Sequence, residues 1–175
     1  MTIYSQRLIT TFYEFTYLLY QSRTKGLYVV SQTANLDYFD PDLQSMVKYG
    51  LSLLGEGLVE NTMRFLLNLR KIDLCSNQTI SSETVKLLTI CIESCLYLSR
   101  GDYDDYRLFV HTVMRYEGKE LDFSISQIIA SLIEDENAQK NTTRQEFMAY
   151  VQKWSAASND KVLSKKEIDK LLEEK

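Results

Sequence analysis

Proline is almost missing from this sequence: one in 175 residues, beside six glycines. All-β folds draw on these two residues for their turns, so their scarcity points to helices. Histidine occurs once and cysteine three times. A sparse, odd cysteine set is not a disulfide framework and fits reduced thiols in a cytoplasmic chain. No run reaches the ~18 consecutive apolar residues of a membrane span. The aromatic-rich first 23 residues are interrupted by Arg7 and Glu14 and lead to no small-residue cleavage site, so neither membrane insertion nor a secretory signal is expected. An excess of positive charge is lacking too. Lys and Arg number 20 against 24 Asp and Glu, a net charge of −4, which argues against a general nucleic-acid binder.

What is present is apolar bulk at helical spacing. The chain is 45% hydrophobic and 25% charged, with 12 Tyr and 7 Phe, enough to bury a core without wholesale disorder. Leu8, Phe12, Phe15 and Leu19 recur at the 3.6-residue period and predict a buried stripe on a first helix over 2–22, with Gly26 as an interruption. Asp40-Pro41 reads as a helix start, Asp40 capping and Pro41 in the first turn. The helix it opens carries Leu43, Met46, Val47, Leu51 and Leu54 and breaks at Gly55-Glu56-Gly57. Val59, Met63, Leu66, Leu67 and Leu69 mark another helix, followed by a polar loop from Cys75 to Thr79. Ser81 or Ser82 caps a helix with Val85, Leu88, Ile92, Cys95 and Leu96 on one side, ended by Arg100-Gly101. Asp102, Asp104 and Asp105 open a further helix with Leu108, Phe109, Val113 and Met114, closed by Gly118. An apolar helix over 123–133 and a capping box of Thr143 with Glu146 follow. Ser155 to Asp160 is small and polar, the best linker in the chain. The expected architecture is all-α: a bundle of about seven or eight helices over 1–154, a flexible linker over 155–163, and a short amphipathic helix over 164–175.

Chemistry is thinly marked. His111 has no metal-ligand partner at helical spacing. Cys91 and Cys95 lie one turn apart without further Cys or His, and core packing is the expected role. The acids at 102–105 lack calcium-loop spacing, and the helix dipole accounts for them. There is no phosphate-binding glycine loop and no nucleophile elbow. No cofactor and no metal are expected.

The last segment carries the sharpest signal. Ser164 and Glu167 form a capping box, and Leu163 with Ile168 a hydrophobic staple. Leu163, Ile168, Leu171 and Leu172 share one face. A helix this short is marginal alone and gains stability only by docking, on a partner or on its own domain. Asp160, Leu163, Ser164, Glu167, Ile168, Asp169, Leu171 and Leu172 together spell D-x-V-L-S-x-x-E-I-D-x-L-L, which resembles the peptide of the flagellar motor-switch proteins FliM and FliY that binds the phosphorylated response regulator CheY. Lys165 stands where that family usually has Gln, and the family carries the peptide at its amino end. The resemblance implies a CheY-like receiver or a flagellar motor protein as partner, with the apolar four filling a groove and Glu167 and Asp169 setting register. Ser22-Arg23-Thr24-Lys25-Gly26-Leu27, followed by Asp40-Pro41, Leu43, Gly50-Leu51 and Gly57, resembles the cytoplasmic segment of MotA-type stator proteins over residues 18–70. It implies that Arg23 faces a motor partner, although the family's Glu five residues after the Gly is Ser31 here. The two resemblances imply a non-enzymatic adaptor located in the cytoplasm at the flagellar motor. An enzymatic alternative rests on likeness to response-regulator phosphatases: Asp135 and Gln139 match the D-x-x-x-Q of CheZ, and Glu134 and Asn137 the E-x-x-N of CheC and CheX. Such sites use an amide to orient water and an acid to engage the receiver's lysine. A third possibility is a purely structural helical module. The oligomeric state is not written in the pattern.

Overall fold

A computed structural model describes residues 3–77 and 79–118. Six helices and no strand lie among them: α1 (Ile3–Lys25), α2 (Leu27–Thr33), α3 (Pro41–Gly55), α4 (Glu60–Asn77), α5 (Ser82–Arg100) and α6 (Tyr103–Tyr116). The fold is all-α. The helices expected beyond residue 118, the linker and the carboxy-terminal helix lie outside the described residues. Two compact units divide the chain within α6, one ending at Tyr106 and one starting at Arg107.

In the first unit the helix boundaries follow local chemistry. Gly26 takes φ 89°, a left-handed backbone that ends α1 and starts α2. Asp40 caps α3 by accepting the backbone N–H of Asp42 at 3.0 Å, with Pro41 beside it at the first helical position. Ser81, not Ser82, caps α5, accepting the N–H of Thr84 at 3.1 Å. Gly101, at φ 64°, closes α5.

Helix α5 lies against α1, α3 and α4; α3 also packs on α2 and α4, and α1 on α2. The expected stripes are buried: Leu8, Phe12, Phe15 and Leu19 on α1, and Leu43, Met46, Val47, Leu51 and Leu54 on α3. Phe15 meets Phe39 edge to face, with ring centroids 5.2 Å apart. At the α3–α5 crossing the backbones approach closely. A methyl group on Gly50 would sit 2.5 Å from the Cys95 sulfur. Tyr106, at the end of the unit, donates its hydroxyl to the Phe12 carbonyl at 3.3 Å, and burial pushes that hydroxyl's pKa up.

Four findings correct or extend the pattern read from the sequence. Glu14, read as an interruption of apolar sequence, is itself buried, because α1 is enclosed on every side from Glu14 to Tyr20. The polar run from Cys75 is not a loop: α4 continues to Asn77, with the Ser76 hydroxyl turned back onto the Ile72 carbonyl at 2.8 Å. Val59, expected within the helix, precedes α4 and is exposed, and Leu69 is exposed because it is turned away from Met63 and Leu67. In α6, Leu108 is exposed because the buried line runs through Tyr106 and Met114, and a residue two positions from Tyr106 falls on the opposite side.

The described part of the second unit is the remainder of α6 and its cap. Met114 is buried, while Phe109 and Val113 are half-buried. Gly118, at φ 66°, ends the helix and donates its N–H to the Arg115 carbonyl at 3.1 Å.

Candidate functional site

Of the residues singled out in the sequence, Leu163, Ser164, Glu167, Ile168, Asp169, Leu171 and Leu172 lie outside the described residues, as do Glu134, Asp135, Asn137 and Gln139. Arg23 is exposed at the last turn of α1, where its guanidinium donates to the carbonyl of Gly101, the cap of α5, at 3.2 Å. Ser31, in the place of the stator family's Glu, donates its hydroxyl to the Tyr28 carbonyl at 2.7 Å. Cys91 and Cys95 are core residues: both are fully buried, and burial pushes the Cys95 thiol up to about 12 and Cys91 well above its ordinary value. His111 is half-buried on α6. Asp102 accepts the Asp105 N–H at 3.1 Å, the work of a helix cap.

Several charges in the first unit are paired as struts between helices. Arg7 on α1 grips both oxygens of Asp40, the cap of α3, donates to Asp42 at 2.9 Å, and reaches Thr84 at the start of α5 at 3.2 Å. The hydrogen bond to Asp40 is the chief reason that the Arg7 pKa is raised. Glu60, the first residue of α4, accepts from Arg64 at 3.1 Å and from the Nε of Arg100 at 2.7 Å. Those bonds, from Arg100 first and then Arg64, hold its carboxyl at about 2, against an ordinary 4.5. Arg64 also binds Glu93 of α5. The network fastens the start of α4 to α5.

One region is built differently. Between Leu36, α3 and α4 lies an open cleft of about 900 Å³. Leu36, Leu66 and Leu69 give it an apolar wall, and Lys48 and Arg70 bring two cations, with Asp73 one turn beyond Arg70. Arg70 donates to the Ser45 hydroxyl at 2.8 Å. Among the described residues no carboxylate pairs with it, and its buried Nε has no acceptor. A buried donor without an acceptor is uncommon and costly. The apolar wall does not stop at the cleft's edge. Leu69 is 44% exposed, and Phe65 and Ile72, at 63% and 57%, flank it on the outer face of α4. Spacings of four and three put these three side chains in a row along the helix.

The sequence reading missed Lys48, Phe65, Arg70 and Ile72. A local sign was available. Phe65, Leu66 and Leu67 stand consecutively, with Leu69 close behind, and three neighbours on a helix spread over about 200°, far wider than one buried stripe. The cation in the cleft had no such sign, because Ser45 and Arg70 are 25 residues apart. No helix among the described residues is long and apolar enough to cross a membrane. The chain matches no family model, no curated protein and no solved structure.

Proposed function

We propose that the protein is a non-enzymatic docking adaptor of the bacterial flagellar motor or chemotaxis pathway. Its helical body binds a motor component, and its segment from Asp160 to Leu172 captures a phosphorylated CheY-like receiver. The observation that carries the receiver half is the residue run Leu163-Ser164-Lys165-Lys166-Glu167-Ile168-Asp169-Lys170-Leu171-Leu172. It combines a capping box, a staple and a four-residue apolar face in the order of the motor-switch peptide. Such a segment folds in a partner's groove and draws its affinity from the apolar anchors. Support for the body as a docking module comes from α4, which leaves Phe65, Leu69 and Ile72 uncovered while the struts around Glu60 and Arg7 hold the helices in place.

The test is titration of the full chain with a CheY-type receiver, with and without beryllofluoride activation. The expected result is binding that strengthens on activation and is lost in Ile168→Asp and in Leu171→Asp. No binding with the receiver at hundreds of micromolar, or binding unchanged in both variants, removes the receiver reading.

A further inference from the structure

We propose that the α3–α4 cleft and the adjoining outer face of α4 form a second docking site, one that takes an acidic amphipathic helix from another protein. The inference rests on the first unit alone and stands or falls independently of the receiver reading.

Two properties of the site select this occupant. The first is shape. A small-molecule site encloses its ligand and keeps its apolar lining inside. Here the apolar surface runs out of the cleft, from Leu66 through Leu69 to Phe65 and Ile72, on one exposed helix. A row of anchors at spacings of four and three is the complement of a helix laid alongside, the helix-in-groove mode. The second property is charge. Arg64 and Arg100 on the same side of the network share Glu60, and Arg7 has Asp40, but Arg70 has only a hydroxyl among the described residues. Lys48 lies in the same cleft, one turn along α3 from Ser45. A carboxylate entering beside the apolar wall would meet both cations, and a guanidinium pairs with a carboxylate through parallel hydrogen bonds. Asp73, one turn further along α4, disfavours a second acid there and so gives the bound helix a direction.

The probe is a displayed library of amphipathic helices about 16 residues long, roughly 24 Å. They carry a fixed leucine stripe, with flanking positions drawn from Glu, Gln and Lys. The library is panned against the full chain with full-chain Leu69→Asp as the counter-selection. Enrichment of Glu beside the stripe is expected. A synthetic winner should bind with Kd below about 100 µM and lose about tenfold or more on Leu69→Asp. Exchanging its selected Glu for Gln should cost about tenfold against the parent and little against Arg70→Gln, a coupling that a merely structural role of Arg70 would not produce. If Arg70→Gln fails to fold by circular dichroism, Lys48→Met, at an exposed position, serves in the same cycle. An absence of winners, enrichment of Lys or Gln, or a cycle without coupling overturns the proposal. Two other outcomes also overturn it by naming a different occupant: a dimer in sedimentation that Leu69→Asp dissolves, and binding to phosphatidylglycerol vesicles that Leu69→Asp abolishes.

Discussion

Helices α4 and α5 are nearly equal in length, 18 and 19 residues, and both are rich in apolar side chains, yet α5 buries ten residues and α4 only Met63 and Leu67. The difference is one of position. Helix α5 is covered by α1, α3 and α4, so about half of its side chains reach the core. Among the described helices α4 packs mainly on α3 and α5, and it still carries large apolar residues on an exposed face. In α5 apolar content is explained by folding. In α4 it exceeds what folding uses among the described residues, and the surplus adjoins Arg70, which has no carboxylate partner among them.

That contrast can be broken by substitution. Leu88→Ala empties a fully buried site in α5 and should cost about 2–5 kcal/mol, whereas Leu69→Ala should cost less than about 1 kcal/mol. Urea denaturation with unchanged m-values reads both. Equal losses would mean that α4 is as structural as α5. Next in size, Gly50→Ala forces a methyl to 2.5 Å from the Cys95 sulfur and should cost about 1–3 kcal/mol. Part of that loss should return in Gly50→Ala/Cys95→Ala, where the obstructing sulfur is gone. No recovery would place the strain elsewhere.

Smaller still is the effect of the Glu60 network. The Glu60 carboxyl is held at about 2 against an ordinary 4.5, so what it adds to stability is present above about pH 4.5 and is lost as the pH falls toward 2. Its side chain is partly exposed and screened, so the gain is modest. Glu60→Gln should flatten the acid limb of a stability–pH curve in that window and leave the neutral value only slightly reduced. A limb of unchanged slope would deny the network its role.

Legibility followed the range over which each feature is specified. The caps at Asp40 and Ser81 and the breaks at Gly26, Gly101 and Gly118 are fixed by neighbouring residues, and sequence chemistry located them, the α5 cap to within one residue. The stripes of α1 and α3 were visible because one buried face imposes its period on the chain. The end of α4 was misread because polar residues on an outer face look like a loop, although Ser76 satisfies its hydroxyl within the helix. Leu69 shows the converse: its place on a helix was legible, but on α4 apolarity and burial part company. The candidate site was barely legible. Arg70 meets Ser45 across 25 positions and Arg100 meets Glu60 across 40, pairings that no local spacing encodes.

The most direct test of the docking account is the stability of the triple variant Phe65→Ser/Leu69→Ser/Ile72→Ser, measured by urea denaturation of the full chain. If the outer face of α4 is reserved for a partner, the variant unfolds within about 1 kcal/mol of the parent, since exposed substitutions away from the core cost little. A loss of several kcal/mol would show that the face helps to build the fold and has no surplus surface for a partner to bind.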